Sequence, residues 1–157
     1  MRKTDFLHKL AKEKKLQVVE PSEEMRIAYL QRAQESLSSA KALLKIGNLK
    51  DSVALAYYSM YHALLSLLFR SGIKCENHTA AIILLKEIFN LDNAVISKAK
   101  SERVDKQYYI DFAITKEEVM KSIHIAEEFI IEINNFTENL TEDKIKEYRS
   151  KTVKRLQ

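Results

Sequence analysis

Residues 51–70 read DSVALAYYSMYHALLSLLFR. Drawn as a helix, this stretch carries apolar or aromatic side chains on nearly every side. Such a helix is buried on more than one side, so it belongs at the centre of a bundle or along a contact with a second copy. Its flanks agree: Gly47 and Gly72 bracket it, and they are the chain's 2 glycines. Each is read as closing a helix, because glycine enters the left-handed region without steric cost. With 2 Gly and 1 Pro in 157 residues, the chain lacks the turn residues that a β-sandwich or barrel needs. An all-α fold is expected. A hydrophobic share of 46% suffices for a core, and the length is that of one domain.

Working outward, residues 23–46 form the preceding helix, with Ala33, Leu37, Ala40 and Leu44 at helical spacing. Ser22 is its N-cap, and Glu23 and Glu24 suit the positive end of its dipole. Asn48 is read as capping the central helix, and Asn77 a helix over 78–90. Asn90–Asn93 make a turn, and a more polar helix covers 93–110. Thr115-Lys-Glu-Glu118 is a capping-box pattern opening a helix over 116–136, whose Val119, Ile123, Ala126, Ile130 and Ile133 keep one seam against a neighbour. Residues 4–18 read as a short amphipathic helix ended at Pro21. Short connections favour antiparallel neighbours. The expected architecture is an up-and-down antiparallel bundle of four to five helices with short helical segments at the ends. The organisation is a basic extension over 1–20, the bundle over 21–140, and a charged helix or tail over 141–157.

The net charge of +4 sits at the ends: residues 1–20 and 141–157 each carry six Lys/Arg against three Asp/Glu. They read as solvated, frayed ends or as basic arms that touch phosphates. One Cys, Cys75, excludes a disulfide framework and a multi-cysteine zinc site. Cys75 and His78 are two ligands without a third, so no metal is expected, and no cofactor motif is present. No signal-peptide core and no apolar run near 18 residues occurs, so no membrane contact is expected and the location is read as cytoplasmic.

Gly47-Asn-Leu-Lys-Asp51 followed by Ala56-Tyr57-Tyr58-Ser-Met-Tyr61-His62-Ala63 resembles the signature of HEPN (higher eukaryotes and prokaryotes nucleotide-binding) domains. Asn77-His78-Thr79 resembles the loop that follows in those proteins. Arg103–Tyr109 is similar to their arginine motif, and Ala126-Glu-Glu-Phe129 to their final helix. The similarity spans residues 23–136. It implies a helical bundle, a homodimer, and pairing with a minimal nucleotidyltransferase in a toxin–antitoxin system. Active toxins of this family are metal-independent ribonucleases in which Arg is followed, after four to six residues, by His. Here Tyr108 stands five residues after Arg103, where such a member has His. A phenol titrating near 10 is a poor proton shuttle at neutral pH beside an imidazole near 6.5.

These readings select the candidate residues. Arg103 suits a phosphate by geometry and charge, or pairs with Asp105, Glu102 or an acid elsewhere. Tyr108 and Tyr109 stack on a base or close the end of the bundle. Tyr57, Tyr58, Tyr61 and His62 form either a nucleotide or dimer surface or core packing with bonded polar tips, with Tyr58 and His62 sharing one face. The expectation is a non-catalytic or degenerate HEPN-like interaction module. It is expected to dimerise through the surplus apolar surface of the central helix, and to contact nucleotide or RNA near Arg103, Tyr108, Tyr109 and Tyr58. The alternative is a ribonuclease toxin using Arg103 with His62 or Tyr108.

Overall fold

The computed structural model describes residues 1–108 and 113–157, the side chains of 105–108 excepted. The elements in order are α1 (Lys3–Lys12), β1 (Leu16–Val18), α2 (Glu23–Lys45), α3 (Leu49–Arg70), β2 (Ile73–Cys75), α4 (His78–Glu87), α5 (Ala94–Tyr108), α6 (Lys116–Glu138) and α7 (Glu142–Leu156). The fold is an all-α bundle. The stretch first quoted is its axis: α3 packs most extensively on α2 and also touches α5, α6, α4 and β2. Leu64, Leu67 and Leu68 of α3 have no exposed surface. Removing such a leucine side chain costs about 2–5 kcal/mol.

Two buried serines of this apolar helix are satisfied by α2, as burial demands. The Ser52 hydroxyl donates to the Ala40 carbonyl at 2.7 Å and Ser66 to the Arg26 carbonyl at 2.9 Å, one bond near each end of the α2–α3 contact. Between them the small residues Ala33 and Ala40, fully buried, let the helices approach. Caps follow the sequence at Ser22, Asn77 and Thr115, whose side chains accept from Met25, Ala80 and Glu118 N–H groups. Asn48 occupies the N-cap position of α3 but makes no capping bond with its side chain. Its backbone N–H instead donates to the Leu43 carbonyl at 2.8 Å, closing the end of α2.

The ends depart from the frayed reading. The helix expected over 4–18 stops at Lys12. Lys14 takes a positive φ of 60°, and residues 16–18 then pair antiparallel with 73–75, Leu16 opposite Cys75. Leu7, Leu10 and Leu16 are buried, as are Ile145 and Thr152 of α7. His8 Nε2 lies 2.9 Å from the Arg155 carbonyl. Arg149 Nε donates to the Val19 carbonyl at 2.9 Å, and Phe89 packs against Tyr148 with ring centres 4.8 Å apart. Residues at both ends therefore build a second layer over β1–β2 and α4.

The expected dimer contact on α3 also requires correction in its premise. α3 passes a length-and-apolarity test for crossing a membrane, yet 78% of its most apolar window is buried inside the fold, as in a core helix. That cover comes from α2, α4, α5, α6 and β2. Surplus apolar area on α3 therefore gives no argument for a second copy.

Candidate functional site

The aromatic cluster of α3 divides by depth. Tyr57 and Tyr61 are buried, whereas Tyr58 and His62 are partly exposed. This is the pairing of faces that i,i+4 spacing gives: Tyr57 and Tyr61 lie 6.3 Å apart, and Tyr58 and His62 also 6.3 Å. Two other elements reach this cluster. α4 begins at His78 because Asn77 caps it, and the imidazole lies flat on Tyr61 with ring centres 3.7 Å apart. The Tyr57 hydroxyl is 2.8 Å from His78 Nδ1. From α5, the Arg103 guanidinium lies over the rings of Tyr57 and Tyr58, 5.4 and 5.5 Å from their centres. Its Nη1 is within reach of the Tyr58 hydroxyl at 3.4 Å. Cation and ring faces at this separation attract by about 0.5–2 kcal/mol.

Electrostatics sort the two imidazoles from the phenols. Burial pushes the hydroxyls of Tyr57 and Tyr61 well above the usual phenol range, so both stay protonated. Burial, aided by the cationic field of Arg103 and Lys100, lowers His78. Burial, with Arg32 and His78 nearby, takes His62 from 6.5 down to about 4. At neutral pH the cluster therefore holds neutral imidazoles and phenols under a fixed guanidinium.

Of the residues selected from sequence, Tyr58 and Arg103 come together. His62 packs on the other side of Tyr58, toward α2. Its Nδ1 lies 3.3 Å from the Ser36 hydroxyl, its ring is 6.2 Å from Tyr29 on the α2 side, and Tyr58 packs against it. The backbone of Tyr108 ends α5, but its side chain lies outside the described residues, and so does all of Tyr109. His78, considered on sequence with Cys75 as a metal ligand and in the Asn77-His78-Thr79 loop, is the imidazole that accompanies Arg103. The available signal was Asn77 as a cap, which fixes His78 in the first turn of a helix returning toward the tyrosines. Cys75 donates to the Asn77 carbonyl at 3.3 Å. His124 pairs at the surface with Glu128 at 2.9 Å.

The family model for the HEPN domain matches residues 27–136, from early α2 to the last turn of α6. The chain belongs to the HEPN domain family. Its HEPN region thus contains every element that builds the Arg103 cluster, while α1, β1 and α7 lie outside the match. Among curated proteins, the chain is similar to the UPF0332 protein PH1297 of Pyrococcus horikoshii, 49% identical over 49 residues. That match covers 31% of this chain and 34% of the relative, so this chain spans about a third of that protein's length. It is also similar to "Putative toxin MJ0605" of Methanocaldococcus jannaschii, 28% identical over 110 residues, covering 66% of this chain and 81% of the relative.

Proposed function

We propose that this HEPN domain is a toxin-like module that binds RNA through its phosphates, on the face formed by Arg103, Tyr58 and His78. One observation carries the reading: a guanidinium held over two tyrosine rings, beside an imidazole that is hydrogen-bonded to one of them. Arginine pairs with phosphate through two parallel bonds, and a partly exposed tyrosine offers a ring for a base. Burial is the main cause of both depressed imidazoles, and the cations Arg32, Lys100 and Arg103 stand near enough to add to it. Those three cations are the groups a polyanion would meet there. The relative named a toxin supports the setting, and by family resemblance the partner is a nucleotidyltransferase-type protein. Homodimerisation rests on that resemblance alone. A cytoplasmic location fits an RNA ligand and a reduced, buried Cys75.

Fluorescence anisotropy with a labelled single-stranded RNA tests this, with ATP as competitor. Arg103→Met is expected to weaken binding about tenfold, the value of one charge-assisted hydrogen bond. The slope of log affinity against log salt should fall by about 0.7, one phosphate's worth. Unchanged affinity and slope in a folded variant refute the reading, and full displacement by ATP alone redirects it to a free nucleotide.

A second reading, a ribonuclease, is favoured by His78 specifically. It supplies from α4 an imidazole that the sequence lacks five residues after Arg103. Incubation with RNA in EDTA separates the two: cleavage lost in both Arg103→Ala and His78→Ala marks the enzyme, and intact RNA with retained binding marks the module.

A further inference from the structure

Bordered by Tyr57, a groove of about 780 Å³ runs between α5 and α6. Its floor is apolar: Val53, Ala56 and Met60 of α3, with Phe129 and Ile125 of α6. At its mouth Val95 is 42% exposed. Its rim is acidic. Asp92 and Glu102 stand on the α5 side and Glu118, Glu128 and Glu132 on α6, against two lysines, Lys98 and Lys121, among the described residues.

We infer that this groove receives a basic amphipathic helix of a partner protein. Three features select that occupant. From Glu118 to Glu132 the α6 wall spans 14 residues, about 21 Å at 1.5 Å per residue, which accommodates roughly four turns of a docked helix. An apolar floor suits anchors at i, i+3, i+4 and i+7, and a carboxylate rim suits lysine and arginine beside those anchors. The same rim repels RNA and anionic lipid. A second copy of this chain is a poor occupant: its basic helix, α7, already spends its apolar face, Ile145 and Tyr148, within its own fold. The inference does not depend on RNA binding. It adds one link to it, since Tyr57 lines the groove and also holds His78, so a seated partner abuts the phosphate face.

The test uses two fluorescein-labelled 16-residue helical peptides on the full chain without RNA. One has leucine anchors flanked by Lys/Arg, and the other has the same anchors flanked by Glu. Anisotropy at low salt should give binding of the basic peptide near about 10 μM, with the acidic peptide at least about tenfold weaker. Glu128→Lys with Glu132→Lys should weaken the basic peptide about tenfold. Ala99→Trp, on the α5 wall of the groove, or Ile125→Trp if the first fails to melt cooperatively, should block it by filling the groove. The inference is overturned if both peptides bind alike, if neither binds by about 1 mM, or if the filled variants bind as wild type. It is also overturned if light scattering shows a dimer that Glu128→Lys with Glu132→Lys converts to monomer, which assigns the groove to self-association.

Discussion

Acidification should unfold this protein partly through His62, and the amount follows from its environment. The imidazole is taken from 6.5 to about 4, mainly by burial and next by Arg32. The folded state therefore prefers the neutral form and binds fewer protons than the unfolded chain between those values. Unfolding free energy then rises with pH in that window. No stability is lost to this group above about pH 6.5, the loss grows as pH falls, and it saturates below about pH 4. Between pH 7 and pH 4.5 the full shift corresponds to about 2.4 kcal/mol. His62 is partly exposed, so solvent screening reduces this to about 1 kcal/mol. The variant His62→Gln keeps a partner for Ser36 and does not titrate. Urea denaturation of both proteins at pH 7.0, 6.0, 5.0 and 4.5 should show the wild type losing about 1 kcal/mol more than the variant. For a chain of this size that is a melting-point difference of about 2–4 °C. Parallel pH profiles would show that His62 titrates normally, and would restore it as a proton-transfer candidate near neutrality.

Four further outcomes test the packing. Cys75, 4% exposed with burial pushing its thiol up to about 11, should react with a disulfide reagent at pH 7.5 at least about 100-fold more slowly in the native state than in urea. Similar rates would contradict its burial. Gly72→Ala should destabilise by about 2 kcal/mol or more, seen as a lower melting temperature: the backbone has a φ of +77° and an added Cβ would sit 2.6 Å from the Val19 carbonyl oxygen. The same change at Gly47, with nothing within 4 Å, should cost about 1 kcal/mol, the left-handed backbone alone. Ile145→Ala should cost about 2–4 kcal/mol in urea denaturation. A cost under about 0.5 kcal/mol would mean that α7 is not integral to the fold.

Much of the HEPN fold was legible along the chain because helices are local objects. Their faces, caps and breaks are set within four residues: Ser22, Asn77 and Thr115 announce helix starts, and the all-round apolarity of residues 51–70 announces a buried axis. The β1–β2 ribbon was not legible, since three residues per strand give no period to detect and the pairing joins positions nearly sixty residues apart. The packing of both charged ends was equally hidden. Leu7, Leu10 and Ile145 are sparse among lysines, and only the partner surface decides whether they are covered. The site followed the same division. The family resemblance singled out Arg103, and the tyrosines stood out by type and spacing, but an imidazole five residues away is a local motif, whereas His78 reaches Arg103 through Tyr57 of a third element. Local hydrogen bonding and side-chain pattern fixed the helices. Only the tertiary structure chose which histidine stands beside the guanidinium, because that distance depends on how α4 and α5 pack on α3.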